Sequence, residues 1–409
     1  MENKNTELTS KKQLYLFALF LVLYEFTVYA ANDMILPGML NVVHEFDVSV
    51  KYVALSLVYY ILGNTLLQLF LGPLAERLEK RKLLLIGNII FIITGILMLF
   101  TTNISQFLLI RCLEGLGVAV IAVGYSLIHE NFSDKDAVKI ISLMGNIAIL
   151  APLIGPLIGA LIVSYLNWRF VFVLIVALSV ITFIFLRKYT PANINKQKTP
   201  LIWSNIFYEY LNVLKNSNFK LGIFISSSLI IPTISWIAIA PTMLIDNLKL
   251  SYAKYIGFQL IAIGGFSCCS IFMQFITGKL KLTSILKIGT LLVIIGAIIN
   301  FLSIFTDLEL TLYFISIGLF IFGFGAGMCN GIIIRLILRE KGYSANYAMS
   351  MMVFLQTLIM MLSLSIINRI MLIFNFHTIC FSLINSIVGF VVSYFIVVFS
   401  KRYKNRNWE

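Results

Sequence analysis

About twelve apolar runs of roughly 20 residues or more follow one another along this chain, separated mostly by short polar segments. A run of that length is what an α-helix needs to cross the hydrocarbon of a bilayer. The runs fall near residues 14–43, 52–73, 83–101, 107–128, 138–164, 170–187, 220–245, 254–277, 284–304, 310–336, 345–371 and 377–400. Hydrophobic residues make up 60% of the 409, only 12% are charged, and the mean hydropathy is +0.95. A soluble protein of this length has too little polar surface to cover so much apolar material. The expectation is an all-α membrane protein with twelve transmembrane helices. The first run exceeds the length of a span, so tilt or extension beyond the lipid is expected. It follows a polar start and carries no small-residue cleavage site, so it reads as a retained span and not as a signal peptide.

The net charge of +13 does not point to nucleic acid, because the basic residues lie between apolar runs and not in one domain. Alternate connections differ in charge. One side receives Lys4, Lys11, Lys12, Arg77, Lys80, Arg81, Lys82, Lys135, Lys139, the long central loop, Lys279, Lys281, Arg339, Lys341, Lys401, Arg402, Lys404 and Arg406. The other receives little beyond Lys51, Arg169, Lys249, Lys254 and Arg369. The bias is roughly five to one, which puts both termini in the cytoplasm by the positive-inside rule. An even number of spans requires the same thing. Residues 188–219 form the long polar connection and divide the chain into a bundle at 1–187 and another at 220–409. Within it "SNIFYEYLNVL" is amphipathic at helical spacing and suits a membrane surface. "QLFLG" and "QFITG" close the second and eighth runs, and glycine-rich "EGLGVA" and "FGFGAGMCNG" recur in the fourth and tenth. Two related six-span halves make a transporter architecture, with a substrate site expected near the midplane between them.

Three motifs carry a more specific reading. "GPLAERLEKRKLL", residues 72–84, follows the second run. It resembles the signature loop G-x-L-A-D-R-x-G-R-K-x-x-L of the major facilitator superfamily through Gly72, Leu74, Ala75, Arg77 and the pair Lys80–Arg81. Glu76 stands for the family's Asp, and Glu79 for its second Gly. An acid and several basic groups at a helix end can latch neighbouring helices, although positive-inside charge alone also accounts for the basic residues. "RCLEGLGVAV", residues 111–120, is similar to the superfamily's R-x-x-Q-G-x-G-x-A pattern, with Glu114 replacing Gln. Arg111 and Glu114 lie one turn apart on one helix face. They can form a local structural pair, or Arg111 can bias the protonation of an acid on another helix. "NIAILAPLIGPLIGA", residues 146–160, resembles the antiporter signature of the drug-exporting branch through Gly155, Pro156 and Gly159, with Pro152 in addition. Proline permits a helix kink and small residues permit close helix approach, so simple packing is the alternative.

The first run holds two carboxylates, Glu25 and Asp33. At 100° per residue Glu25, Tyr29, Asn32 and Asp33 share one broad face, and the two acids are about 12 Å apart along the axis. A charge at bilayer depth costs at least about 2.5–3.5 kcal/mol on insertion scales, so such a stripe must face protein or a water-filled cavity. Burial favours the neutral form of a carboxylic acid and a nearby cation favours the ionised form. An acid open to each side in turn can therefore carry protons, and a substrate that binds only to the deprotonated acid is exchanged for them. One acid pairing with Arg111 for assembly alone is the other reading. "LYEFTVYAANDMILPGML" together with "IIPTISWIAIAP" in the seventh run makes the resemblance to the multidrug-exporting antiporters of the superfamily specific, and it extends over nearly the whole chain. The resemblance implies the major facilitator fold, alternating access, and export of lipophilic drugs in exchange for protons across a bacterial cytoplasmic membrane. It also implies that Glu25, Asp33 and Arg111 serve proton coupling. The added acid at Glu114 departs from that charge balance. The substrate pocket expected on these spans is lined by Glu25, Tyr29, Asn32, Asp33, Tyr125, Met144, Asn146 and Trp236. For the aromatics and Met144, ordinary packing serves as well. Acids and aromatic faces favour cations, while a protonated acid can also bond a neutral drug, so substrate charge stays open.

Other chemistry leaves little trace. Cys112, Cys268, Cys269, Cys329 and Cys380 fall inside apolar runs and read as small buried hydrophobes. His44, His129 and His377 show no metal-ligand spacing, and no phosphate-binding glycine loop is present. No cofactor, no metal and no enzymatic activity are expected, and no nucleic-acid partner. The partners expected are lipophilic small molecules, protons and the lipid bilayer, with the protein a monomer. A narrow-range metabolite transporter on the same fold and a non-transporting membrane sensor are the competing functions.

Overall fold

The computed structural model describes residues 2–191, 203–276, 279–338, 345–375 and 377–403, and these are helices joined by short connections, with no strand among them. A backbone surrounded by hydrocarbon must satisfy its own N–H and C=O groups, and a helix does so within a single segment. Helix α1 (Glu2–Met34) passes through a 3-10 turn, Leu36–Gly38, into α2 (Met39–Glu45). Then come α3 (Lys51–Arg77), α4 (Lys80–Met98), α5 (Ile104–Ala119), α6 (Ile121–Asn131), α7 (Asp134–Tyr165) and α8 (Arg169–Tyr189). Helix α9 (Trp203–Lys215) lies in the central connection. Beyond it are α10 (Ser217–Ser228), α11 (Ile231–Ala240), a π-helical segment Pro241–Asn247, α12 (Tyr252–Ile276), α13 (Leu282–Leu302), α14 (Leu308–Leu338), α15 (Ala345–Ile373) and α16 (Thr378–Tyr403).

Among the described residues ten helical segments are long and apolar enough to cross a membrane. The 27-residue α3 and the 32-residue α7 coincide with the second and fifth apolar runs and complete the expected set of twelve. Connections are short because side chains stop and start the helices locally. Asn103 caps α5 by accepting from the Gln106 N–H at 3.0 Å, and Asn216 caps α10 by accepting from Asn218 and Phe219 at 2.9 and 3.0 Å. The amphipathic stretch of the central connection is helical as α9, with Tyr210 and Val213 buried and Phe207 and Tyr208 exposed.

Three runs that are continuous in hydropathy are broken in backbone. The first breaks at Leu36–Gly38, where Pro37 brings no N–H to the ladder. The fourth breaks at Val120, between α5 and α6. The seventh breaks before α11, which has a proline in its first turn, Pro232, and changes to π-helix at Pro241. Helix α7, in contrast, continues through both Pro152 and Pro156. Hydropathy averaged over a run is blind to these breaks because it does not register backbone geometry.

The chain resolves into two compact units. The first comprises Met1–Val48 and Tyr59–Ile202, and the second Ser49–Val58 and Trp203–Glu409. In the first, α1 packs on α7 and α8, and α4 on α5 and α8. One end of this unit is clasped by Glu45, which accepts from Trp168 Nε1 at 2.7 Å and pairs with Arg169 at 2.7 Å. Arg169 also donates to the Leu99 and Thr101 carbonyls. In the second unit α13, α14 and α12 form the most extensive packing, and α16 covers α13. The opening turns of α3 cluster here, where Asn368 on α15 donates to the Lys51 carbonyl at 3.2 Å.

Candidate functional site

Among the described residues four charged side chains are buried: Glu25, Asp33, Arg111 and Glu114. All four belong to the first unit. They come from α1 and α5, so the cluster is built by two helices that meet across nearly 80 residues of sequence. Asp33 occupies the last turn of α1, immediately before Met34 ends the helix and Pro37 follows. Tyr29 and Asn32 on the same face are half-buried.

Close backbone contact holds this helix end in place. A Cβ on Gly159 of α7 would lie 1.8 Å from the Met34 carbonyl oxygen, and one on Gly155 would lie 2.8 Å from that of Ala30. Both positions therefore need glycine for α7 to seat on α1 beside Asp33. Pro156 is buried and Pro152 half-buried on the same helix. The antiporter-like glycines of the fifth run thus act locally, at the end of the helix that carries the acids.

Arg111 is fully buried and uses its guanidinium in three directions. Nη1 donates to Glu114 Oε2 at 2.7 Å, one turn along α5. Nη2 donates to the Asn32 carbonyl at 3.1 Å, with Asn32 Oδ1 at 3.5 Å. Its flat face lies 4.4 Å from the centroid of the Tyr60 ring, a cation–π contact in a desolvated setting. Arg111 Nε and Glu114 Oε1 are buried without partners. Asn32 in turn donates from Nδ2 to Asp33 Oδ1 at 2.8 Å. Asn32 therefore links the guanidinium to Asp33, and the ion pair of Arg111 is made with Glu114. The local pair offered by the sequence is thus formed, and Arg111 also reaches α1 through Asn32.

Glu25 forms a second polar point two turns earlier on α1. Its Oε1 accepts from the Tyr125 hydroxyl on α6 at 2.8 Å, and its Oε2 is buried without a partner. Met144 on α7 is fully buried. Trp236 lies in the second unit on α11, buried against Phe381 at 5.7 Å between ring centroids. Gly72, Glu76, Arg77 and Asn146 lie outside the residues whose side chains are described. Of the signature loop, Arg81 donates to the Arg187 carbonyl at 2.6 Å and ties the start of α4 to the end of α8.

Several participants carry no motif of their own. Tyr60 stacks on Arg111 and donates to the Val28 carbonyl at 2.7 Å, joining α3 to α1. Tyr24 donates to the Gly117 carbonyl at 3.1 Å, joining α1 to α5. Lys80 pairs with Glu130 and donates to Ser126 at 2.6 Å, joining α4 to α6. A tyrosine in an apolar run signals a hydroxyl that needs an acceptor, but its partner is not readable from spacing. No group of three or more metal-ligating side chains occurs among the described residues.

A family model described as the Major Facilitator Superfamily matches residues 21–364 of the chain. The multidrug transporter MdfA of Escherichia coli O157:H7 is 34% identical over 391 residues, covering 95% of each chain. The chloramphenicol resistance protein CraA of Acinetobacter baumannii is 35% identical over 347 residues, covering 84% of this chain and 83% of that protein. Among solved structures, a bacterial homologue of the human lysosomal transporter Spinster, inward-facing and unoccupied, superposes with a TM-score of 0.72. It covers 98% of each chain at 13% identity, and so speaks to the fold alone.

Proposed function

The chain belongs to the Major Facilitator Superfamily, and from that premise we propose that it exports lipophilic drugs and toxic compounds in exchange for protons, by alternating access. It is a transporter, not an enzyme. The observation that carries the exchange reading is the pair Glu25 and Asp33, both buried on one helix and neither ion-paired among the described residues. A buried acid without a cation is stable when protonated, and becomes a carboxylate that needs a positive or hydrogen-bond-donating partner when the proton leaves. Proton and substrate then compete for one carboxyl group, and each weakens the binding of the other by the same factor.

Asp33 is the coupling acid in this reading. It sits at a helix end, where a small backbone change alters its surroundings, and Asn32 connects it to Arg111. Glu25, held by Tyr125, shapes access and the preference for charge. Tyr29, Tyr125 and Met144 supply adaptable aromatic and thioether surface of the kind that accepts many lipophilic shapes. The six-helix halves at 1–187 and 220–409, joined by 188–219, are the bodies that alternate. Gly72, Glu76, Arg77 and Arg81 act at their conformational latch. The protein works as a monomer in a bacterial cytoplasmic membrane, with both termini on the cytoplasmic side. Similarity to MdfA and CraA over most of the chain supports the drug-export reading.

The test is substrate-induced proton release by the purified protein, compared with Asp33→Asn. Binding of a drug to the wild type should release protons, and the variant should release fewer or none. Binding without proton release in the wild type would overturn the exchange mechanism. Equal release by the variant would remove Asp33 from the coupling role.

A further inference from the structure

We infer that a cleft between the starts of α12 and α14 binds one phospholipid of the outer leaflet. The lipid it fits has a headgroup with both a phosphate and a primary ammonium, the phosphate held by Lys254 and the ammonium by Glu309. The inference rests on the membrane topology proposed above, and not on drug export.

The cleft lies wholly within the second unit and encloses about 510 Å³, a volume in the range of small-molecule sites. Its shape follows from how the two helices cross. A Cβ on Gly265 of α12 would lie 2.0 Å from the Phe320 carbonyl oxygen of α14, so the backbones touch there. Two turns nearer the start of α12, a Cβ on Gly257 would meet nothing within 4 Å. The helices therefore splay toward their first turns, and Gly257 lines the space that opens between them.

Polarity changes with depth in the cleft. Lys254 stands in the first turn of α12 and Glu309 in the first turn of α14, and both line it. Phe258 and Ile261 follow on the same face of α12, and Leu312 and Tyr313 on α14. Phe258 and Tyr313 meet edge to face, with ring centroids 5.2 Å apart. From Lys254 to Ile261 the descent is about 10 Å, by the helical rise. Both helices belong to candidate membrane spans that begin here, so the charges lie at headgroup level and the apolar wall at the level of the acyl chains. On the proposed topology these helix starts face away from the cytoplasm.

Charge selects the occupant. Lys249, in the preceding connection, pairs with Asp246 at 3.3 Å. Lys254 and Glu309 are exposed, and neither side chain is ion-paired or hydrogen-bonded among the described residues. One cation and one anion on opposite walls match a headgroup that carries both charges. A headgroup with phosphate alone satisfies Lys254 and is repelled by Glu309. Exposed Leu308 and Tyr313 continue the cleft onto the outer surface of the helices, where acyl chains can lie.

The experiment counts lipid adducts on the purified full chain by native mass spectrometry. The probes are phosphatidylethanolamine and phosphatidylglycerol with matched chains, and thermal unfolding is recorded for every variant. Wild type should retain phosphatidylethanolamine over phosphatidylglycerol by about fivefold, the scale of one charge contact at a membrane surface. Glu309→Gln should bring that ratio near one, and Lys254→Gln should weaken both lipids. Gly257→Leu, which fills the cleft, should remove the selective adduct. A wild-type ratio near one overturns the inference even if every variant fails to fold. A ratio that survives all three substitutions places the lipid elsewhere and overturns it too. Loss of dye binding in Gly257→Leu with the lipid adducts unchanged gives the cleft to a drug and overturns the lipid assignment. Lipid adducts are counted without drug or proton gradient, so this inference and the export reading can fail separately.

Discussion

Tyr125 on α6 donates its hydroxyl to Glu25 on α1 at 2.8 Å, the one hydrogen bond recorded for that fully buried carboxyl group. The second oxygen of Glu25 has no partner, so the tyrosine supplies all the polar contact the acid has among the described residues. Replacing Tyr125 by Phe leaves the ring in place and strips that contact. An orphaned buried acceptor costs about 1–3 kcal/mol. Thermal unfolding in detergent should fall accordingly. Proton release on binding a cation should persist, because Asp33 keeps Asn32. A variant as stable as the wild type would mean that Glu25 finds water or another donor there.

Gly159 offers a sharper test of how α7 supports the acids. Its Cβ position lies 1.8 Å from the Met34 carbonyl oxygen, which is backbone and cannot rotate away. Gly159→Val must push α7 from α1 beside Asp33. Overpacking of this kind costs about 1–3 kcal/mol. The expected outcome is lowered thermal stability together with loss of dye efflux from cells expressing the variant. Efflux at the wild-type level would show that the close approach does not position Asp33.

The Arg111–Glu114 pair predicts non-additivity. Arg111→Met removes the donor and leaves Glu114 buried and unpaired, a change that costs about 3–5 kcal/mol. Adding Glu114→Gln to Arg111→Met removes the stranded charge, so the double variant should regain a substantial part of that loss. The measurement is a double-mutant cycle on unfolding temperature. A double variant no more stable than Arg111→Met would mean that the charge of Glu114 is not what the arginine compensates.

Much of this molecule is readable along the chain because lipid imposes a simple rule. Segments such as 310–336 and 377–400 must be helices, and α14 and α16 are. Their ends agree to within a few residues because the change from apolar to polar marks the water boundary. The acids were equally conspicuous, since a carboxylate inside an apolar run needs a reason to be there. Other elements left no such mark. The breaks at Val120 and before Pro241 change backbone geometry without changing polarity. The membership of residues 49–58 in the second unit depends on what α3 touches, not on what it contains.

The charge cluster divides along the same line. Hydropathy and spacing were enough to pick out Glu25, Asp33, Arg111 and Glu114, because each is expensive in a bilayer and the expense is local to the residue. Which of them pair is a property of three-dimensional contact. Arg111 had two acids on α1 and one on its own helix as candidate partners. Only the packed structure shows it bonded to Glu114 and to Asn32, stacked on Tyr60, and joined to Asp33 through a neutral amide. Desolvation is encoded residue by residue, whereas compensation for it requires atoms within about 3 Å, and tertiary packing alone brings those together.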